Sequence, residues 1–185
     1  PWDDLSKRMG MVAIESMSIH HGMLTAQTQR PLQIELQSGS LQMTESLWSS
    51  SLGPVRFAVQ GEDGEWLVTG SLDSLESPFR SWEARAGRAR FSVAGSFPYP
   101  QIELAVDAQS LQLQGHDLGA LSVRVDLNHE ASRSTLTLDR GSESTLTASL
   151  TSPVHLLDPS AHGEHSVRLV VTASDYVVSN AAVQT

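Results

Sequence analysis

The sequence predicts an all-β protein in which antiparallel strands form an extended array and share one apolar face. Three observations predict it. Apolar and polar residues alternate with a period of two, turn residues separate the alternating segments, and no segment longer than two helical turns carries a helical apolar stripe. Because successive side chains of a strand point to opposite sides, each strand is expected to have one apolar and one hydrated face.

The clearest alternation lies between residues 100 and 127, where two strands flank a Gly-containing connector. Charged residues such as Glu103, Asp107 and Arg124 occupy positions between the apolar ones. We therefore expect two neighbouring strands with their apolar side chains on the same side. The predicted apolar-face residues of this stretch are Ile102, Leu104, Val106, Ala108, Leu111, Leu113, Leu121, Val123, Val125 and Leu127.

The first half of the chain is expected to add further strands before this stretch. Residues 2–8 suit a single helical turn, and residues 11–19 form a first strand in which Glu15 interrupts the apolar side. A short strand is predicted over residues 41–43, and residues 61–64 have the composition of a turn. The predicted apolar-face residues of this part are Leu32, Ile34, Leu36, Val55, Phe57, Val59, Phe91 and Val93.

The last part of the chain is expected to hold a hairpin and one more strand. Two short alternating runs flank the turn residues 139–142, which is the pattern of a β-hairpin. Residues 153–165 lack alternation and are expected to form a long loop, after which alternation resumes. The predicted apolar-face residues of this part are Leu136, Leu138, Leu146, Leu150, Val167, Leu169 and Val171.

The composition limits the partners that the chain can bind. Lys and Arg number 12 against 21 Asp and Glu, a formal charge of -9, which argues against binding nucleic acid through a basic patch. Cysteine is absent from the sequence, which excludes disulfides and thiolate metal sites. Apolar runs are far shorter than the roughly 20 residues of a membrane-spanning helix. Because the chain stops in mid-pattern, we expect a segment of a longer protein whose other parts contact the membrane.

Short sequence matches predict an internal repeat of about 68 residues. The tetrad Gln-Ile-Glu-Leu occurs at residues 33–36 and again at residues 101–104. A third, incomplete copy begins at Val167 and overlays the strand that begins near Ile102. We therefore expect one continuous β array of stacked units. The expected divisions are a lead-in over residues 1–30, repeat 1 over 31–99, repeat 2 over 100–166 and the start of repeat 3 over 167–185.

A continuous apolar wall has to be removed from water. About a dozen strands spaced about 4.8 Å apart would extend such a wall over roughly 55 Å. The wall is then closed on itself, covered by a second sheet or occupied by an apolar ligand, because large bare apolar patches are not tolerated in water. From the residues alone, a ligand-binding groove and a closed β-sandwich, as in extracellular adhesion or carbohydrate-binding modules, both remain open.

No motif in the sequence points to an enzyme. The chain lacks a Gly-x-Ser-x-Gly elbow, a Gly-Lys-Ser/Thr phosphate loop and a His-Glu-x-x-His motif, and we predict neither catalytic residues nor a cofactor. The loop over residues 153–165 holds three histidines and Asp158, but their irregular spacing favours solvated side chains, so no metal is predicted. Trp48, Trp66 and Trp82 are scattered rather than aligned, which favours packing in the core or a position at a groove rim over stacking on a sugar ring.

One stretch of the sequence resembles a known protein family. The run at residues 90–97 is followed by Pro-Gln-Ile-Glu-Leu at 100–104 and Leu-Gln-Leu-Gln-Gly at 111–115. A Leu-Gly pair at 118–119 and an alternating strand complete the series. Over residues 89–153 this cadence is similar to the TamB and AsmA-like proteins of Gram-negative envelopes, which belong with the bridge-like, repetitive-groove lipid transfer proteins.

The resemblance implies a fold, a function and a location. The implied fold is a β-taco, an elongated sheet curled into an open trough with an apolar interior. The implied function is non-catalytic and consists of holding phospholipid acyl chains for transport to the outer membrane, or of supporting outer-membrane protein assembly together with an assembly barrel protein. The implied location is the periplasm, within a protein anchored in the inner membrane. The predicted apolar-face residues would then line the lipid groove.

Overall fold

A computed structural model describes seven ranges of the chain, and its regular secondary structure is β-strand. No residue in these ranges is helical, so the all-β prediction is confirmed. The predicted helical turn over residues 2–8 and the predicted loop over residues 153–165 lie outside the described residues. The described residues are 9–22, 24–75, 82–96, 100–128, 131–141, 144–152 and 167–176.

Fourteen strands lie in the described ranges. The first seven are β1 (Gly10–Ile14), β2 (Ser18–His21), β3 (Leu24–Thr28), β4 (Leu32–Gln37), β5 (Ser40–Ser50), β6 (Gly53–Glu62) and β7 (Glu65–Leu72). The other seven are β8 (Trp82–Arg85), β9 (Arg88–Ser96), β10 (Gln101–Leu113), β11 (His116–Leu127), β12 (Ser132–Asp139), β13 (Thr145–Ser152) and β14 (Arg168–Ser174).

All fourteen strands belong to one antiparallel sheet. Eleven of them follow a single path, β1-β4-β5-β6-β7-β9-β10-β11-β12-β13-β14, while β2, β3 and β8 attach beside it. Strands β1 and β14 do not pair with each other in the described ranges, so the sheet is open. The predicted antiparallel sheet is therefore confirmed. The alternative fold, a closed sandwich, needs two facing sheets, and the described residues form one.

Two-residue turns set the register of three hairpins. Ser38 and Gly39 both have positive φ, as do Asp63 and Gly64 and the pair at 114–115. Positive φ at both central residues defines the type I′ turn, whose twist matches that of the flanking strands. Glycine is the second residue of each pair, because glycine adopts this conformation without steric cost. The turn predicted before β7 is therefore Asp63 and Gly64, and the connector of the central stretch is the pair at 114–115.

Two long strands, β5 and β10, change partner part-way along their length. The first part of β5 pairs with β4 and its end pairs with β3, while β10 pairs first with β9 and then with β8. A register shift accompanies each change, between Met43 and Ser46 in β5 and between Ala108 and Leu111 in β10. Each shift inserts one extra residue into the long strand, which is a β-bulge and increases the local bend and twist.

Most of the buried apolar residues form two clusters on the same side of the sheet, one beside each bulge, whereas Leu72 on β7 is buried outside both. Ala26 of β3 packs against the cluster beside the bulge of β5, and Ala84 of β8 packs against the cluster beside the bulge of β10. The core is therefore local, and it lies where these two short strands widen the sheet. The N-terminal cluster consists of Leu32, Met43 and Trp48. The C-terminal cluster consists of Ala108, Leu111, Leu121 and Leu138.

Two predicted strands differ from the observed ones. Residues 11–19 form the end of β1 and the start of β2 instead of one strand, and the break includes Glu15, whose charge interrupts the apolar side. Strand β5 continues well past Met43, its predicted end. The bulge explains this error, because one extra residue inverts the alternation and returns Trp48 to the apolar side.

The repeat of about 68 residues stays a prediction. Its two Gln-Ile-Glu-Leu tetrads lie in different settings, since residues 33–36 belong to a short hairpin strand and residues 101–104 begin the long strand β10. Within the range of the expected third copy, the described residues contain one strand, β14. The boundaries of the expected units, at residues 30, 99 and 166, likewise stay a prediction.

Gly119→Ala is expected to lower the free energy of unfolding by at least about 1–3 kcal/mol. Gly119 is buried in β11 with a φ of 82°, and a Cβ there would lie inside van der Waals contact of the Asp139 carbonyl oxygen on β12. Urea denaturation measures the loss. The control is Gly115→Ala, at an exposed turn with a φ of 80°, where a Cβ meets nothing within 4 Å. Equal losses in the two variants would contradict a role for the Asp139 contact.

Candidate functional site

The apolar face, defined as the side of the sheet that carries Val123 and the cross-strand partners in line with it, is the candidate functional site. Directly opposed residues of neighbouring strands lie on the same face, so the pairing registers decide which side chains lie together. The longest uninterrupted run of apolar partners crosses nine strands and ends at Trp48, whose further partner on β3 is the polar residue Thr28. This central row consists of Trp48, Val55, Leu72, Ala89, Val106, Val123, Leu136, Ala148 and Val171.

Three further rows run parallel to the central row on the same face. The flanking row consists of Phe57, Gly70, Phe91, Leu104, Val125, Ser134, Leu150 and Leu169. The distant row, next to it, consists of Val12, Ile34, Met43, Val59, Val68, Val93, Ile102 and Leu127. The short row, on the other side of the central row, consists of Ala108, Leu121, Leu138, Leu146 and Ala173.

The structure brings nearly all of the predicted apolar-face residues together in these rows. Leu32 and Leu36 lie on either side of Ile34 in β4 and share its face. Leu111 and Leu113 lie beyond the bulge of β10, where Leu111 is buried and Leu113 is exposed. Val167 precedes β14, is exposed and has no strand partner in the described ranges. Except for Val167, the placement of the predicted residues on one face follows from the registers, and the contact of all of them with lipid stays a prediction.

Exposure increases along the apolar face toward β14. Val106, Val123 and Leu136 in the middle of the central row are half-buried. On β14, in contrast, Leu169 is 63% exposed and Val171 is 58% exposed. A contiguous apolar surface with this much exposure is a candidate binding surface.

Trp48, the most deeply buried large side chain of this face, is not among the predicted face residues. It is 2% exposed, its ring centroid lies 5.0 Å from that of Phe57, and its Nε1 donates a hydrogen bond of 2.9 Å to Ser46 Oγ. The packing role predicted for Trp48 is therefore confirmed. Only the assumption of one extra residue between Met43 and Ser46 would have assigned Trp48 to the apolar face.

Two aromatic rings cover glycines of neighbouring strands on this face. Phe91 on β9 lies over Gly70 on β7, and a Cβ at Gly70 would fall inside its ring atoms. Trp66 on β7 lies over Gly61 on β6, where a Cβ would approach Trp66 Cε3 to 2.9 Å. Because glycine has no Cβ, each ring can lie against the backbone of the neighbouring strand. The rings therefore project little from the apolar face.

The opposite face carries charged and polar side chains. Arg124 on β11 donates hydrogen bonds of 2.8 and 3.1 Å to the Asp107 carboxylate on β10. These hydrogen bonds from Arg124 hold the pKa of Asp107 below its ordinary value of 3.8. The stabilising effect of the pair is present above that ordinary value and is lost as the pH falls through the lowered pKa. The pair joins β10 to β11 and thereby helps to fix their register. It adds little stability, because both side chains are more than half exposed.

Two shallow hollows of about 510 and 630 Å³ lie on this polar face around Ala105. Ala105 stands between Arg90 and Arg124 on the neighbouring strands, so the hollows follow from its small side chain. Glu103 and Asp126 line one of them, and mixed charges of this kind do not favour a hydrocarbon ligand. The apolar rows, rather than these hollows, are therefore the candidate site.

The described residues add no sign of a metal site or a membrane-spanning helix. No group of three or more His, Asp or Glu in these ranges is placed to hold a metal ion. No helix long and apolar enough to cross a membrane occurs in the same ranges. The three histidines and Asp158 of the predicted loop lie outside the described residues.

Comparison with known proteins adds no relative. No protein-family model, curated protein or solved structure matches the chain. The function proposed for the chain therefore rests on its own geometry and on the resemblance of its sequence pattern.

Proposed function

We propose that the chain is a non-catalytic segment of an envelope protein of the TamB and AsmA-like kind, and that its apolar face binds phospholipid acyl chains. The central row carries this proposal, because nine apolar residues on nine neighbouring strands form one uninterrupted line. From Ala89 to Val171 the members of this row are half-buried or exposed. An elongated apolar ligand is the partner that such a line fits.

Acyl chains match the length and the chemistry of this row. From Ala89 to Val171 the row crosses five strand spacings, about 24 Å. The acyl chains of one leaflet span about 15 Å, which is half the thickness of the hydrocarbon core. Each square ångström of apolar surface removed from water contributes about 25 cal/mol. A bound lipid would therefore stabilise side chains that the free sheet leaves in contact with water.

A trough with the apolar face inside is the shape that we propose for the sheet. Tyr176, which follows β14, packs against the C-terminal cluster and donates a hydrogen bond of 2.6 Å to the Leu118 carbonyl oxygen on β11. In a flat sheet, three strand spacings, about 14 Å, would separate β14 from β11. The chain after β14 therefore crosses the apolar side to make this contact. This supports a curl of the C-terminal part toward the apolar face.

We also propose that the sheet is assembled from related units. Strands β3 and β4 together flank the bulged strand β5, and β8 and β9 together flank the bulged strand β10. Two further antiparallel strands follow each bulged strand, β6 and β7 in the first case and β11 and β12 in the second. This recurrence supports related units, which in the strand order span residues 24–72 (β3 to β7) and 82–139 (β8 to β12). The division at residues 31–99, 100–166 and 167–185 stays a prediction.

The cellular setting in this proposal comes from the family resemblance. The segment is placed in the periplasm, within a protein anchored in the inner membrane by parts outside this chain. Its proposed role is transport of phospholipid to the outer membrane, support of outer-membrane protein assembly, or both. Phospholipid is the primary ligand, and an outer-membrane assembly barrel protein is the proposed protein partner.

The test is organic extraction of the natively purified chain, prepared without detergent, followed by mass spectrometry. We expect phospholipid in an amount comparable to that of the protein. As a control, the chain is unfolded in urea, freed of lipid and refolded, and it should regain lipid from added phosphatidylethanolamine vesicles. Repeated absence of lipid from both preparations, even after crosslinking from position 123, would rule out the proposed function.

A further inference from the structure

Burial on the apolar face decreases along the C-terminal strands from the short row toward the flanking row. On β12, Leu138 of the short row is 8% exposed, whereas Leu136 of the central row is half-buried. On β13, Leu146 of the short row is half-buried, whereas Leu150 of the flanking row is 40% exposed. On β12 and β13 the short-row side of the apolar face is therefore the less exposed one, whereas on β14 Ala173 of the short row is exposed.

Tyr176 packs on this less exposed side. Asp175 has a φ of 45°, which turns the chain at the end of β14, and Ser144 Oγ donates a hydrogen bond of 3.1 Å to the Asp175 carbonyl oxygen. The Tyr176 side chain then packs against the C-terminal cluster, and its hydroxyl reaches the carbonyl oxygen of Leu118. The ring thus lies between the end of β14 and the start of β11, against the cluster that contains Leu138.

The Arg140 guanidinium packs against the Tyr176 ring. The guanidinium carbon lies 4.9 Å from the ring centroid, within the range of a cation–π contact. The same guanidinium donates a hydrogen bond to the Asp117 carbonyl oxygen on β11. The ring, which follows β14 in the chain, is therefore held by contacts to β11 and to the end of β12.

The other boundary of the accessible strip is polar. The distant row ends at Leu127, because its partner on β12 is Ser132 and the partner of Ser132 on β13 is Ser152. Over β12 to β14 the central row stays apolar, and the flanking row is apolar on β13 and β14 but carries Ser134 on β12. The two rows lie about 7 Å apart. A strip of this width accommodates acyl chains in single file.

We infer that Tyr176 is a side wall that excludes acyl chains from the short row on β12 and β13 and confines them there to the central and flanking rows. This inference rests on the proposed lipid-binding function and specifies where in the apolar face the hydrocarbon lies. The wall and the serine boundary together define a single-file lane, open toward Leu136 and Leu150 and closed toward Leu138 and Leu146.

Photolabelling tests the lane. The chain is loaded from vesicles of a phosphatidylethanolamine whose acyl chain carries a diazirine, irradiated, and digested so that peptide mass spectrometry locates the adducts. In the unmodified chain we expect adducts at Leu136 and Leu150 and only background at Leu138 and Leu146. Tyr176→Ala should raise the adducts at Leu138 and Leu146 to the level found at Leu136. The matched control, Tyr176→Phe, keeps the ring and should keep the unmodified pattern.

Each outcome decides the inference. Equal labelling of Leu138 and Leu136 in the unmodified chain overturns it, as does an unchanged pattern in folded Tyr176→Ala. If Tyr176→Ala fails to melt cooperatively, Arg140→Ala takes its place, because this change loosens the ring without removing it. Arg140→Ala must then raise the labelling at Leu138. An unchanged level of labelling overturns the inference. Absence of adducts at every residue would refute the lipid-binding function and the lane together, whereas failure of the lane alone leaves adducts at Leu136 and Leu150.

Discussion

Val123→Asp is expected to abolish phospholipid retention while the chain stays folded. Val123 lies in the middle of the central row, between Val106 on β10 and Leu136 on β12, and is half-buried. On an accessible face its carboxylate stays hydrated in the free protein. Covering that carboxylate with hydrocarbon would cost several kcal/mol, which opposes lipid binding. Lipid extraction with mass spectrometry measures the loss, and a thermal melt followed by circular dichroism measures the fold.

Thr135→Asp is the matched control for Val123→Asp. Thr135 lies on the polar face of β12, opposite Arg124 on β11, so the same charge there should leave both lipid content and melting unchanged. Normal lipid content in Val123→Asp would contradict binding along the central row. Loss of cooperative melting in Val123→Asp but not in Thr135→Asp would show that protein covers position 123, which would count against an accessible groove.

Trp48→Ala is expected to lower the free energy of unfolding by about 3–5 kcal/mol. Trp48 is 2% exposed and packs with Leu32 and Met43 in the N-terminal cluster, so its removal would leave a cavity. The hydrogen bond from its Nε1 to Ser46 would be lost as well. Urea denaturation measures the loss. We expect it in the main unfolding transition, because Trp48 is part of the N-terminal cluster of the core.

Leu67→Ala is the control for the Trp48 variant. Leu67 lies on the other face of β7 and is 40% exposed, so its truncation should cost well under the loss at Trp48. Trp48→Phe should fall between the two, because it keeps an aromatic ring next to Phe57 and loses the indole donor. A Trp48→Ala loss no greater than that of Leu67→Ala would mean that the N-terminal cluster does not hold the sheet together.

Regular alternation was enough to predict the strands of the central stretch and the side to which their residues point. Leu104 and Val125 illustrate this, since both were assigned to the apolar face and they are direct cross-strand partners. The period of two is fixed by backbone geometry, so it can be seen in one strand without knowing its neighbours. The all-β class follows from the same property.

The bulges and the long-range contacts could not be predicted from alternation. One extra residue in β5 moves Trp48 to the apolar face, and nothing in the local sequence fixes where that residue is inserted. Tyr176 contacts the carbonyl of Leu118, 58 residues earlier, and such a contact depends on the curvature of several strands together. Most of the candidate face residues could therefore be named from the sequence, but their arrangement in rows and their burial required the structure.

The chemical uniformity of the central row has a kinetic consequence for a lipid bound as proposed. From Ala89 to Val171 the row contains only Ala, Val and Leu side chains, and none of them offers a hydrogen bond. A hydrocarbon that advances by one strand, about 4.8 Å, exchanges contacts for others of similar area, so its binding energy changes little on the way. Such a surface retains a ligand without fixing its position, and the barriers to movement lie at the two ends, where lipids enter and leave.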